Sequence, residues 1–121
     1  MSSIDSHLSI NDEGWCESLV RSTCPNFDDR PVDTPISLLV IHNISLPPGE
    51  FGGSWIEELF RNELDCDAHP YFDQLRGVKV SAHFLVRRDG SVLQFVSTND
   101  RAWHAGVSEF GGRQRCNDFS V

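Results

Sequence analysis

Asp89-Gly90 stands between two strand-like runs, Val78 to Arg88 and Ser91 to Ser97. An Asp-Gly pair in that setting predicts a hairpin closed by a two-residue turn with positive φ. Along the first run Val80, Ala82, Phe84 and Val86 share one face, and Ser81, His83, Leu85 and Arg87 share the other. Both faces are therefore partly apolar. Upstream, Ser37 to His42 (SLLVIH) is apolar and β-branched and lies between Pro35 and the loop Pro47-Pro48-Gly49. It predicts a central strand buried on both faces. Ser54 followed by Glu57 is a capping-box pair that predicts a helix start. Ile56, Leu59 and Phe60 make one apolar face of that helix, set to cover the sheet, with Glu57, Glu58 and Arg61 turned towards water. The fold class these patterns predict is α/β.

Elsewhere the periodicity is broken. Pro25, Pro31 and Pro35, with Asn26, Asp28, Asp29 and Asp33, make the first 35 residues turn-rich, with one short amphipathic piece expected around Trp15 to Val20. The regular domain is expected to begin near Ser37. Residues 62–75 read as a loop with at most a turn or two of helix near Tyr71 to Leu75, and Thr98 to Arg115 as a long loop carrying Gly106, Gly111 and Gly112. Asn117 to Val121 reads as the start of another strand.

A length of 121 residues allows one domain, and 10 Lys+Arg against 18 Asp+Glu give a net charge of −8. That balance argues against a nucleic-acid partner, because backbone binding needs clustered cations, and only Arg87-Arg88 and Arg113/Arg115 come close. The longest apolar run, Leu38 to Ile41, is far short of the roughly 18 residues that cross a bilayer. Residues 1–15 have neither a basic nor an apolar leader region, so the chain reads as cytoplasmic, with no membrane partner. Cys16, Cys24, Cys66 and Cys116 are widely spaced without a CxxC pair, which predicts free thiols and no zinc ribbon.

His42 sits where the predicted strand opens into a Gly/Pro loop, an address where ligand-binding residues of open α/β sheets are found. A structural histidine hydrogen-bonded at a strand end fits the same position. His83 reads as a packed, hydrogen-bonded core residue. His104, beside Trp103 in a glycine-bearing loop, suits either ligand contact or loop anchoring. His7 and His69 read as surface residues. Three separated histidines could hold zinc, although nothing local selects that set. Cysteine-based catalysis through Cys66 or Cys116 lacks a paired base. No phosphate loop, dinucleotide fingerprint or HExxH motif is present.

Longer strings carry more. LLVIHNISLPPGEFGG at 38–53, HPYF at 69–72, VSAHFLVRRDG at 80–90, RAWHAGV at 101–107 and GRQRCNDFS at 112–120 agree in order and spacing. Together they closely resemble the AmpD-type 1,6-anhydro-N-acetylmuramyl-L-alanine amidases. The resemblance spans roughly residues 14–121. It divides the chain into an N-terminal tail, 1–13, and the N-terminal part of one zinc amidase domain, 14–121.

The resemblance implies an α/β fold with a central mixed β-sheet flanked by helices, related to phage lysozyme-like amidases and peptidoglycan recognition proteins. It implies a cytoplasmic enzyme of cell-wall recycling that cleaves the amide between the lactyl group of anhydromuramic acid and L-alanine. His42 matches the first zinc ligand of that family. Asn43, Trp103 and Arg115 match positions lining the groove for the anhydromuramyl peptide. Zinc of this kind polarises a carbonyl and lowers the pKa of bound water towards about 7. An indole offers a flat face to sugar or peptide, and a guanidinium grips a carboxylate.

The family's general base, lysine and remaining zinc ligands would fall beyond Val121, so no catalytic residue is assigned within this chain. The expectation is therefore a fold incomplete at its C-terminus, inert alone, without stoichiometric zinc, marginally stable or prone to aggregate through exposed apolar surface, and monomeric if folded. A non-catalytic muropeptide-binding module is the alternative.

Overall fold

The predicted hairpin supplies the central strand and one edge strand of a mixed three-stranded sheet in the computed structural model, which describes residues 9–50, 52–106 and 108–121. In chain order the elements are β1 (Val20–Arg21), β2 (Phe27–Asp29), α1 (Trp55–Phe60), β3 (Phe84–Val86), β4 (Val92–Gln94), β5 (Asp100–Ala102), β6 (Glu109–Phe110) and β7 (Arg113–Gln114). β4 lies antiparallel to β3, with Leu85 opposite Leu93, and parallel to β1, with Val20 opposite Leu93. β2 pairs antiparallel with β5, and β6 with β7.

The β3–β4 turn differs from the two-residue form expected. Arg87 N–H donates to the Ser91 carbonyl at 2.8 Å, and within the loop 88–90 only Gly90 has positive φ, +88°. This is a three-residue loop ending in one left-handed residue. Asp89 serves through its carboxylate, which accepts from Ser91 N–H at 2.9 Å and Ser91 O–H at 2.6 Å. The two-residue turn with positive φ at both positions lies instead at Gly111-Gly112, φ +59° and +81°, joining β6 to β7. Thus 98–115 is not one long loop. Its strands are two or three residues long and partly charged, too short for a period to show in the sequence.

The amphipathic piece expected around Trp15 to Val20 is not a helix, and regular structure begins at Val20 rather than near Ser37. The side chain of buried Gln94 dictates the path: its carbonyl accepts from Cys16 N–H at 2.8 Å and its amide donates to the Gly14 carbonyl at 2.9 Å. A Cβ on Gly14, φ +84°, would lie 2.1 Å from Ser97 Oγ, so only glycine allows this approach. Ser97 O–H also donates to the Glu13 carbonyl at 2.5 Å, and the Asn99 amide to that of Asp12 at 2.9 Å. His7 lies outside the described residues.

Residues 37–42 are not a strand buried on both faces. They run parallel to 119–121, with Val40 N–H donating to the Val121 carbonyl and Val121 N–H to that of Leu38, both at 3.0 Å. Leu38 and Val40 are half-buried, while Leu39 is 70% and Ile41 83% exposed. Side chains alternate along extended backbone, so cover on one face buries only every second residue.

Helix α1 lies where the sequence placed it. Leu59 and Phe60 are buried with Cys24, Leu46, Phe72, Phe95, Val96 and Ala102, and Ile56 packs against this core. The Phe60 and Phe95 rings meet edge to face, centroids 5.0 Å apart. Burying each such ring contributes about 1.5–3 kcal/mol. The capping box does not form: Ser54 bonds the Glu58 carboxylate at 2.5 Å, and Glu57 turns to Arg87. Glu57 is thus engaged rather than free in water, as is Arg61, which donates to Ser22 Oγ at 2.7 Å. Asn62, φ +62°, ends the helix, with Glu63 N–H donating back to Glu58 at 2.8 Å.

The 3-10 turn at Pro70–Leu75 matches the helical turn expected there, and a second spans Cys116–Asp118. His69 begins the first as its cap, accepting from Tyr71 N–H at 3.1 Å. All four cysteines are free. Among the described residues no helix is long and apolar enough to cross a membrane.

Candidate functional site

The parallel contact between 37–41 and 119–121 brings the end of one segment beside the loop after β5. His42, exposed, places its Nε2 3.0 Å from Nδ1 of His104, and the two rings meet edge to face. His104 Nε2 in turn lies 3.0 Å from Oγ of Ser120, which is fully buried. The Asn117 side-chain carbonyl accepts from the backbone N–H groups of His104 and Ala105 at 3.2 and 2.9 Å and fixes the loop. Burial, with His42, His83 and Arg30 nearby, pushes the His104 imidazole down to about 4, so this ring is neutral at pH 7.

Trp103 is held from both ends. Its backbone N–H donates to Ser81 Oγ at 3.1 Å, and Ser81 donates to the carbonyl of buried Asn26 at 2.5 Å. Its indole N–H donates to Asp28 Oδ1 at 3.2 Å. The same carboxylate takes two bonds from Arg101, at 2.7 and 2.5 Å, and Arg101 also reaches Asp118 at 2.6 Å. Arg101 holds the Asp28 carboxyl below its usual range. The β2–β5 pair thus orients the indole through a salt-bridged carboxylate.

Arg30 joins these parts. Its guanidinium donates to the carbonyls of Thr98, Asn117 and Asp118 at 3.1 Å and of Ser120 at 2.9 Å, and lies 3.3 Å from His83 Nε2. Four of its N–H groups are thus directed at backbone carbonyls, while His83 Nε2, which must carry its proton to bond the Asp100 carbonyl, offers the fork no lone pair. His83, 2% exposed, is the packed core residue the sequence suggested, its Nε2 3.0 Å from the Asp100 carbonyl.

Other predicted residues lie outside this hydrogen-bond network among the described residues. Asn43 is exposed and its side chain makes no hydrogen bond among the described residues. Arg115 is exposed, with left-handed φ of +59°, and its backbone N–H donates to the Ser108 carbonyl at 3.1 Å. Neither is hydrogen-bonded to the His42–His104 pair. No histidine bonds Cys66 or Cys116 among the described residues.

A catalytic zinc needs three protein ligands. Among the described residues no group of three or more His, Cys, Asp or Glu side chains is gathered for a metal, and His83 is turned to Asp100 and Arg30. His42 suits a ligand by exposure and chemistry. The described donors as a set do not fit a complete zinc centre.

The sequence pattern of N-acetylmuramoyl-L-alanine amidases matches residues 32–121. The chain belongs to this amidase family. It is 56% identical over 112 residues to the 1,6-anhydro-N-acetylmuramyl-L-alanine amidase AmpD of Salmonella typhimurium, covering 93% of this chain and 60% of that protein. Identity to AmpD of Citrobacter freundii is 57% and to that of Escherichia coli 54%, each over 91% of this chain and about three-fifths of the relative. The amidase fold is shared as well. A crystal structure of a selenomethionine AmpD derivative superposes with a TM-score of 0.89, at 56% identity over 93% of this chain and 63% of that one. The solution structure of Citrobacter freundii AmpD superposes with 0.58, over 93% of this chain and 60% of that one. The chain therefore spans about three-fifths of the length of the curated amidases it matches.

Asp28, Arg30, Asn117 and Ser120 carry the site without having stood out in the sequence. CNDFS lay inside a recognised string, but nothing in it marks Asn117 as a loop clamp.

Proposed function

We propose that this chain is the groove-bearing part of a cytoplasmic zinc amidase that cleaves the lactyl–L-alanine amide of 1,6-anhydromuramyl peptides during cell-wall recycling. One observation carries the proposal: identity of 54–57% over more than nine-tenths of the chain to proteins named for that activity. The geometry supports the binding half of the task. Trp103 presents an indole already fixed by Asp28 and Ser81, so little ordering is needed when a sugar or peptide packs on it. Arg115 offers an exposed cation for a stem-peptide carboxylate in a chain of net charge −8. His42 provides one exposed imidazole, next to His104.

The incomplete donor set favours one further reading of the 121-residue chain itself, a muropeptide-binding module without turnover. Calorimetry with anhydromuramyl tripeptide, followed by product analysis in the presence of zinc, tests both. The expected result is binding without release of anhydromuramic acid. No binding would contradict the groove assignment, and turnover would contradict the incompleteness of the site.

A further inference from the structure

Ser120, His104 and His42 form a hydrogen-bonded row, 3.0 Å at each link. A neutral imidazole has one N–H and one lone pair, so the protons along the row all point one way or the other. If His42 donated to His104, then His104 would donate to Ser120. The hydroxyl hydrogen of Ser120, 0% exposed and with no other partner among the described residues, would then lack an acceptor. In the opposite direction every proton is placed: Ser120 donates to His104 Nε2, His104 Nδ1–H donates to His42 Nε2, and the remaining N–H belongs to the exposed ring of His42.

The order Ser–His–His is also that of a nucleophile, its base and an orienting group. Complete burial of Ser120 rules that role out, since no substrate carbonyl reaches its oxygen.

We propose that Ser120 and His104 are positioning residues that fix His42 as the Nδ1–H tautomer, with the single lone pair, on Nε2, occupied by His104. The consequence, which rests on the amidase reading, is that His42 is masked as a metal ligand until His104 gives up Nε2. The second imidazole is then a guard on the first and not a companion ligand. Orientation of a ligand histidine through its other ring nitrogen is a general device, here directed at the lone pair itself.

Long-range 1H–15N correlation spectra of the metal-free chain at pH 8 report which ring nitrogen of each histidine bears the proton. His42 and His104 are both expected to show the Nδ1–H pattern. In S120A, where no hydroxyl sets the direction, a mixture with Nε2–H is expected at His42, and H104A should release His42 from the Nδ1–H form. An Nε2–H pattern at His42 in the unaltered chain overturns the proposal, as does an unchanged His42 in a folded S120A. If S120A fails to fold, the spectrum of the unaltered chain decides alone. Neither metal nor peptide enters these measurements, so their outcome is separate from that of the amidase reading.

Discussion

The indole N–H of Trp103 donates to Asp28 at 3.2 Å, across the β2–β5 pair in which Phe27 lies opposite Ala102. Asp28 is thereby a positioning residue for the Trp103 indole. Replacing it with alanine frees the indole and leaves Arg101 with Asp118 alone. D28A should weaken anhydromuramyl tripeptide binding about tenfold, about 1.4 kcal/mol, by calorimetry. It should lower stability by only about 1 kcal/mol, since the pair is partly exposed. Unchanged affinity in D28A would show that the indole needs no such anchor.

Arg30 offers a second test, of stability. R30K keeps the charge but replaces a five-donor fork with three donors on one nitrogen, so several of the carbonyls of Thr98, Asn117, Asp118 and Ser120 lose their partner. A loss of about 2–3 kcal/mol in urea unfolding is expected. A value within about 0.5 kcal/mol of the parent would contradict the keystone role.

His83 should make the fold acid-sensitive. Burial, with Arg30 adjacent, pushes its imidazole down to about 4. The unfolded side chain titrates near 6.5, so between those values the unfolded chain binds more protons and stability rises with pH. The full contribution is present above pH 6.5 and is lost as pH falls towards 4. His83 should account for about 2 kcal/mol of the stability lost between pH 7 and pH 5, to which His104, also pushed down to about 4, adds its own part, so H83Q should lose less than the parent. Urea midpoints at the two pH values measure it, and equal slopes in parent and H83Q would refute the assignment.

Leu39 and Ile41, exposed on extended backbone, make an apolar edge. Exposed strands of this kind associate. Sedimentation should show self-association of the 121-residue chain, reduced in the double variant L39S/I41T. A monomeric parent at high concentration would contradict this.

Much of this architecture was visible as pattern. The hairpin, the apolar face of α1 and the free thiols follow from spacing, because each depends on neighbours a few residues apart. SLLVIH misled because an unbroken apolar run implies cover on both faces, and here only Leu38 and Val40 find it. His42 stood out from its place at the end of that run. Arg30 and Ser120, 90 residues apart, did not, because a cation among prolines and aspartates has no period and its four carbonyl acceptors are set by tertiary packing. The same holds for Asp28, whose partners Arg101 and Trp103 lie 73 and 75 residues away.

The central claim is that these residues form the substrate groove and supply one metal-binding imidazole of an anhydromuramyl amidase. A chimera in which residues 1–121 replace the matching part of Citrobacter freundii AmpD tests it directly, with release of anhydromuramic acid as the readout. The chimera should be active in the presence of zinc, and its H42A variant should lose at least about a thousandfold, about 4 kcal/mol of transition-state stabilisation. A folded chimera with no activity, or one indifferent to H42A, would contradict the account.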